Sequence, residues 1–298
     1  MEDLVETALE NHREEMNVES EDESEFNAPV MLFVGCGTAG AQIVDDGLGS
    51  RAQSSQYPDV ETLACQTEPI PKSVTADIVI VTGDLNESIV HELLPAVARA
   101  TPDDTLVIAI PILPSGETNY WNMLSRLVEV TETVVPVANG RHIEATDSSA
   151  AISPPAQLLV RKLATDLVAM LGANLQWSPQ LHRLWPALEN GGLTIAYRDQ
   201  VPDIAPDTTP ADTLTTLVDR TLDRPLGPDT VGGTDCLSLL RGDQSLTLNE
   251  AQAVREAIAG HSHTVDSEPV FSVAISDSTA PYGLTLLFTG RKQAQLNS

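Results

Sequence analysis

The sequence predicts an α/β protein: a Rossmann-like N-terminal domain with a parallel sheet, then a long central helix and a smaller α+β C-terminal domain. Three observations lead to this prediction. Strand-length apolar segments alternate with helical patterns from Val30 to Val137, as in parallel βαβ units. A leucine-rich helical pattern follows Pro154-Pro155. Beyond it, strands and helices continue in a shorter α+β order.

The N-terminal domain contains five predicted strands and three predicted helices. The strands are predicted over 30–34, 61–66, 76–82, 105–111 and 133–137, and the helices over 39–47, 87–100 and 120–130. Because strands alternate with helices, we expect a parallel sheet covered on both faces. Ligands of such sheets bind at the carboxyl ends of the strands. The first of these ends carries the glycine loop described below.

The central helix is predicted to follow Pro154-Pro155, since proline suits a first helical turn, and to stop at Gly172. After residue 181, strands are predicted over 192–197, 235–240, 269–276 and 283–289, and helices over 210–223 and 249–260. The predicted units are an acidic disordered tail (1–27), the sheet domain (28–150), the central helix with the loop after it (151–180) and the α+β domain (181–292).

The charge of the chain is extreme. It carries 43 acidic and 16 basic residues, a net charge of −27. Such an acid-rich, lysine-poor composition is typical of proteins from a high-salt cytosol and predicts a halophilic archaeal source. Nucleic acid is excluded as a partner, because no basic stripe is present to replace the counterions of a phosphate backbone.

We expect the protein to need roughly molar salt to stay folded, because its carboxylates repel one another unless screened to within about 3 Å. Unfolding measured at decreasing KCl concentrations should show the loss of structure as salt is removed. Cooperative unfolding at about 0.1 M salt, where the screening length is roughly 10 Å, would contradict the halophilic assignment.

The cysteines and the lengths of the apolar runs predict a cytoplasmic protein without direct membrane insertion. The three cysteines, Cys36, Cys65 and Cys236, have no metal-ligand spacing and fit a reducing compartment. His261 and His263 have no cysteine or carboxylate cluster to complete a site, so no metal is predicted. No apolar run reaches the roughly 18 residues that a membrane span needs, and the first residues lack the basic-then-apolar order that would predict a signal peptide.

A glycine loop joins the first predicted strand to the first helix. Its sequence is Gly35-Cys36-Gly37-Thr38-Ala39-Gly40. Backbone N–H groups at such a helix N-terminus favour an anion, usually a phosphate. Glycines in βα turns also serve close packing alone, and the loop by itself leaves both interpretations open.

Six segments in order give the chain a resemblance to the tubulin/FtsZ superfamily from about residue 30 to 292. The glycine loop resembles the first phosphate loop of FtsZ, and Gly40-Ala41-Gln42-Ile43 resembles its tubulin version. The other matching segments are 76–82, 136–141, 245–250, 272–275 and 284–290. The resemblance implies the two-domain tubulin/FtsZ fold, with GTP or GDP as the family's ligand.

Two departures from the family concern its chemistry. The family's Gly-Gly-Gly-Thr-Gly-Thr-Gly loop is replaced by the segment 82–87, in which Asp84 and Glu87 put negative charge where phosphate oxygens would lie. The family's catalytic loop, Asn-Leu-Asp-Phe-Ala-Asp, corresponds here to Asn174-Leu175-Gln176-Trp177-Ser178-Pro179. Glutamine can orient a water but cannot accept its proton, and proline has no polar side chain. We therefore expect no catalytic residue and a pseudo-GTPase.

Three functions remain open at this stage. The first is a cytoskeletal or cell-division accessory protein that associates with itself or with an FtsZ/tubulin-like paralogue, with the degenerate loop (Asn174, Gln176, Trp177, Pro179) at the contact surface. Trp177 and Trp185 then either anchor an interface or pack in the core.

The second function is a non-hydrolysing binder of GTP or GDP, whose assembly is nucleotide-gated. Its nucleotide-binding residues would be Gly35, Cys36, Gly37, Thr38, Gly40, Gln42, Gly83 and Asn139. The third, a Rossmann-type enzyme, needs an acidic residue at the end of the second strand, where only Glu68 occurs, slightly late.

Overall fold

The structure is a computed structural model that describes residues 29–47, 60–66, 76–114, 120–139, 156–171, 181–201, 210–228, 233, 235–261, 268–275 and 282–291. The strands are β1 (Met31–Cys36), β2 (Val60–Cys65), β3 (Ile78–Asp84), β4 (Leu106–Leu113), β5 (Thr133–Val134), β6 (Val137–Ala138), β7 (Gly192–Val201), β8 (Asp235–Gly242), β9 (Val270–Ile275) and β10 (Tyr282–Arg291). The helices are α1 (Gly37–Gly47), α2 (Val90–Ala100), α3 (Trp121–Val128), α4 (Ala156–Leu171), α5 (Leu181–Glu189), α6 (Pro210–Leu222) and α7 (Leu248–His261). The acidic tail and the loop over 172–180 lie outside the described residues.

The ten strands found among the described residues belong to one sheet, in the order β2-β1-β3-β4-β5-β7-β10-β8-β9, with β6 also paired to β4. The strands from β2 to β5 pair in parallel, as predicted. β10 pairs antiparallel with both β7 and β8, and β9 pairs in parallel with β8. Two parallel pairs, Thr133 with Gly192 and Val134 with Leu193, join the two parts of the sheet.

Successive residues of the central strands bury their side chains on opposite faces of the sheet. Phe33 and Ile80 belong to one apolar cluster, which includes Leu163 and Leu167 of α4. Their neighbours along β1 and β3 belong to the cluster on the other face, under α2 and α3. A third cluster lies between α6, α7 and the second half of the sheet. The unbroken apolar runs of β1, β3 and β4 follow from this double coverage.

The structure differs from the sequence prediction at three elements. The strand predicted over 133–137 is interrupted, because Pro136 has no N–H to donate and separates β5 from β6. Helix α5 is an element that the sequence analysis did not predict. The segment 245–250, which resembles the point in the family where a strand leads into a helix, contains no strand here: it is a turn that leads into α7 through a capping box. There the Thr247 N–H donates to Glu250 Oε2 over 2.7 Å, and the Glu250 N–H donates to Thr247 Oγ1 over 3.3 Å.

No helix within the described ranges is long and apolar enough to cross a membrane.

Candidate functional site

The glycine loop lies where β1 ends and α1 begins, at the carboxyl edge of the parallel strands. Gly37 has a φ of 72°, in the left-handed region that favours glycine. A Cβ on Gly35 would lie 2.0 Å from the carbonyl oxygen of Gly40, and a Cβ on Gly40 would lie 2.9 Å from the carbonyl oxygen of Thr82. Close packing of the backbone therefore requires glycine at both 35 and 40, whatever the loop binds.

The turn between β3 and α2 lies beside this loop and is held by its own hydrogen bonds. Asp84 Oδ1 accepts from the Asn86 N–H over 2.8 Å and from Asn86 Nδ2 over 2.9 Å. The Leu85 N–H donates to the carbonyl oxygen of Ile112 over 2.9 Å, which ties the turn to β4. A Cβ on Gly83 would lie 2.8 Å from the carbonyl oxygen of Cys36, so the turn packs directly on the glycine loop.

Glu87, the last residue of the segment that replaces the family's glycine-rich loop, reaches the N-terminus of α1. Its Oε2 accepts from the Thr38 N–H over 2.7 Å, and its Oε1 accepts from the Ala39 N–H over 2.9 Å. These donors belong to the first turn of α1, where N–H groups have no partner within the helix and the helix dipole favours a negative charge. A carboxylate of the chain itself thus accepts from N–H groups of the glycine loop, where the phosphate-binding interpretation of this loop would place a phosphate.

The other predicted nucleotide-binding residues are less closely grouped. Thr38 and Gln42 are exposed on α1. Asn139 follows β6, and its N–H donates to the carbonyl oxygen of Leu113 over 3.2 Å. Since β6 pairs with β4, and β4 with β3, Asn139 lies at the same edge of the sheet but several strands away from α1. The residues of the degenerate catalytic loop, Asn174, Gln176, Trp177 and Pro179, lie outside the described residues.

Two buried cysteines lie at the carboxyl ends of β1 and β2, and one of them belongs to the glycine loop. Cys36 and Cys65 are register partners at the ends of β1 and β2, and both are buried. Burial, together with the neighbouring Cys65, raises the pKa of Cys36 to about 12. Burial also raises the pKa of Cys65. Both thiols therefore stay protonated at neutral pH, and neither is an activated nucleophile.

Sequence reasoning missed a buried ionic cluster between α4 and the second half of the sheet. Asp166 of α4 accepts from Arg198 Nε over 2.9 Å, from Arg241 Nε over 2.5 Å and from Thr285 Oγ1 over 2.6 Å. Burial alone raises the pKa of Asp166, but the two guanidinium groups and the hydroxyl outweigh it, so this pKa lies below its ordinary value. The only sequence signal was an aspartate within the leucine-rich pattern of the central helix.

Solved structures similar to this chain include FtsZ, CetZ and TubZ. The FtsZ dimer of M. jannaschii is 18% identical, with a TM-score of 0.68 over 93% of this chain and 92% of that chain. CetZ2 from Haloferax volcanii, solved as a GTPγS-bound protofilament, is 14% identical, with a TM-score of 0.66 over 89% of this chain and 94% of its own. TubZ from Bacillus thuringiensis serovar israelensis, in a GTPγS-form protofilament, is 12% identical, with a TM-score of 0.61 over 91% of this chain and 90% of its own.

No family profile matches the chain, and no curated protein matches its sequence. The likeness therefore rests on the three-dimensional arrangement, which agrees over about nine-tenths of both chains in each comparison. This protein has the tubulin/FtsZ fold.

Proposed function

We propose that this protein is a cytoplasmic, tubulin-like accessory protein of the cytoskeleton or of cell division, which acts by self-association or with an FtsZ-like paralogue and does not hydrolyse GTP. The observation that carries the proposal is a tubulin/FtsZ fold over 93% of this chain whose glycine loop is bound by its own Glu87. Self-association is supported by the similar structures, which include an FtsZ dimer and protofilaments of CetZ2 and TubZ.

The sequence of the loop after the central helix supports the absence of hydrolysis. A polarising carboxylate is replaced by Gln176 at one position and by Pro179 at the other. Neither residue can accept a proton from an attacking water at neutral pH. A triphosphate would also have to displace the Glu87 carboxylate from the N–H groups of Thr38 and Ala39.

A second function is favoured by one observation: the first turn of α1 presents two consecutive N–H groups to an anion. If GTP or GDP displaces Glu87 there, the protein is a non-hydrolysing nucleotide binder whose assembly is nucleotide-gated. Gln42 of α1 and Asn139, which follows β6, would then contribute to binding.

The two functions are separated by measuring binding, turnover and assembly together. In multimolar KCl with Mg²⁺, we expect calorimetry to show no GTP or GDP binding and phosphate release to stay at the buffer rate. Sedimentation and electron microscopy should show assembly, alone or with an FtsZ paralogue, that is the same with and without GTP. Micromolar binding would favour the second function. Turnover that is lost in Gln176→Ala would overturn the pseudo-GTPase assignment.

A further inference from the structure

We propose that the face of β7, β10 and β8 that packs on α4 contains a binding site for a small monovalent anion, with chloride as its ligand. The site lies above Gly283, between Gln200 and Arg241, and its principal donors are the terminal nitrogens of Arg198 and the side-chain amide of Gln200. It is separate from the glycine loop, and its occupation requires neither nucleotide nor assembly.

The first observation is a buried guanidinium group whose hydrogen bonding is incomplete. Arg198 is only 9% exposed, and its Nε donates to Asp166 Oδ2 over 2.9 Å. Within the described part of the chain, its two terminal nitrogens donate no hydrogen bond. Asp166 also accepts from Arg241, so Arg198 has only a share of this carboxylate as its counter-charge. Buried donors are normally satisfied by a protein group, a water or an ion, and a cationic donor favours an anion.

The register of the sheet sets the direction in which these donors can find a partner. Arg198 pairs with Thr285 of β10, and both side chains bond to Asp166 of α4. Toward the start of β7, the next residues on this face are Ala196 and its partner Leu287, which belong to the apolar cluster that includes α4. Apolar side chains accept no hydrogen bond, so the polar surroundings of Arg198 lie on the opposite side, toward the end of β7.

On that side, a glycine leaves a gap in the row of side chains. Gly283 of β10 pairs with Gln200 of β7 and with Arg241 of β8, so the three residues form one row on the α4 face. The atom nearest to a Cβ on Gly283 would be the carbonyl oxygen of Asp199, at 3.8 Å, followed by the Cβ atoms of Arg241 at 3.9 Å and Gln200 at 4.0 Å. Because neighbouring strands lie about 4.8 Å apart, roughly 10 Å separates the backbones on either side of this gap, which is enough for an ion between two side chains.

The side chains on both sides of the gap provide N–H donors and access from solvent. Gln200 is half-buried, and its side-chain amide makes no hydrogen bond to the described residues. Across the gap, Arg241 has 23% of its side chain exposed. An ion above Gly283 would therefore lie between an amide and two guanidinium groups. The carboxylate of Asp166, which both guanidinium groups share, would repel a divalent anion more strongly than a monovalent one.

The test is a chloride titration of the full-length chain. Chloride replaces gluconate stepwise at a constant, high K⁺ concentration, so the screening of the surface carboxylates stays the same. We expect a saturable rise in the Tm of the wild type, by about 4–8 °C when chloride reaches about 100 times its Kd. The NMR signals of the Gln200 side-chain amide should shift with the same saturation.

Two substitutions remove the site in different ways. Gly283→Val keeps every charge but fills the gap, and its Cβ meets only ordinary contacts, so the variant should fold and lose the saturable response. Gln200→Ala removes one donor and should weaken chloride binding about tenfold. Gln252→Ala, the same truncation at an exposed position of α7, should respond as the wild type does.

A Tm that changes linearly with chloride, and equally in the wild type and in Gln200→Ala, would overturn the proposal, because chloride then acts on the whole surface and not at this site. A saturable rise in Tm without any shift of the Gln200 amide signals would overturn it as well. Gln200→Ala remains decisive if Gly283→Val does not fold, since the side chain that it truncates bonds to none of the described residues. GTP turnover by the wild type would overturn the proposed function and leave this site unaffected.

Discussion

Replacement of Gly35 by alanine is expected to lower the free energy of unfolding by about 3 kcal/mol or more. The added Cβ would lie 2.0 Å from the carbonyl oxygen of Gly40, 2.4 Å from its carbonyl carbon and 2.8 Å from Val44 Cγ2. Two of these atoms belong to the backbone of α1, so no change of side-chain rotamer relieves the clash. The first turn of α1 would have to move away from β1, which disturbs the apolar cluster that Val44 belongs to.

Gly260 provides the matched control for this substitution. It lies near the end of α7 and would have nothing within 4 Å of an added Cβ. Gly260→Ala should therefore raise the free energy of unfolding by about 0.5–1 kcal/mol, because alanine restricts the unfolded chain and favours the helix. Denaturant unfolding at constant high salt measures the free energy of unfolding of both variants. A loss below about 1 kcal/mol for Gly35→Ala would show that the loop is packed less closely than the structure has it.

Local patterns were sufficient to predict most of the fold. The apolar runs of β1, β3 and β4 and the glycine turn after β1 specify strand, turn and helix within a dozen residues each. The interruption of the strand at Pro136 also has a local cause, the missing N–H of proline. The apolar residues on both sides of Pro136 nevertheless led to the prediction of one continuous strand. Helix α5 contains Pro186, a residue that disfavours a helix interior, so the weak local signal explains why this helix was missed.

The candidate site was less predictable, because its contacts join distant segments. The order of strand, glycine turn and helix in the sequence located the glycine loop. Asp84 and Glu87 of the segment 82–87 indicated that negative charge lies near it. That Glu87 accepts hydrogen bonds from the loop depends on a contact across 49 residues, which the pairing of β1 with β3 creates. Asp84, which sequence reasoning treated in the same way as Glu87, instead holds its own turn through Asn86.

The buried cluster around Asp166 depends even more on the tertiary structure. Its partners come from β7, β8 and β10, at separations of 32, 75 and 119 residues. Arg198 and Asp199 are adjacent on β7 and so point to opposite faces: Arg198 pairs with Asp166 of α4, and Asp199 pairs with Arg220 of α6. This alternation links α4 and α6 to the same strand through ion pairs.

Substitution of Asp166 by asparagine is expected to destabilise the protein by about 3–5 kcal/mol, the usual cost of breaking a buried ion pair by removing one partner. Asp166 is only 2% exposed and is shared by two guanidinium groups, so its loss leaves Arg198 and Arg241 without their common counter-charge. Asp103→Asn, at an exposed turn, makes the same change in charge and should stay within about 0.5 kcal/mol of the wild type. Equal losses for the two variants would contradict a structural role for the cluster.

The pH dependence of the difference in stability between the wild type and Asp166→Asn tests the charge of Asp166 itself. Its pKa is lowered below the ordinary 3.8 in the folded state, so its contribution to stability is fully present well above pH 4 and is lost as the pH falls toward the folded value. Stability curves of wild type and Asp166→Asn should run parallel from pH 7 to about 5 and converge below about pH 4, because asparagine has no proton to gain. A gap that stays constant down to pH 3 would mean that packing around residue 166, and not its charge, holds α4 against the second half of the sheet.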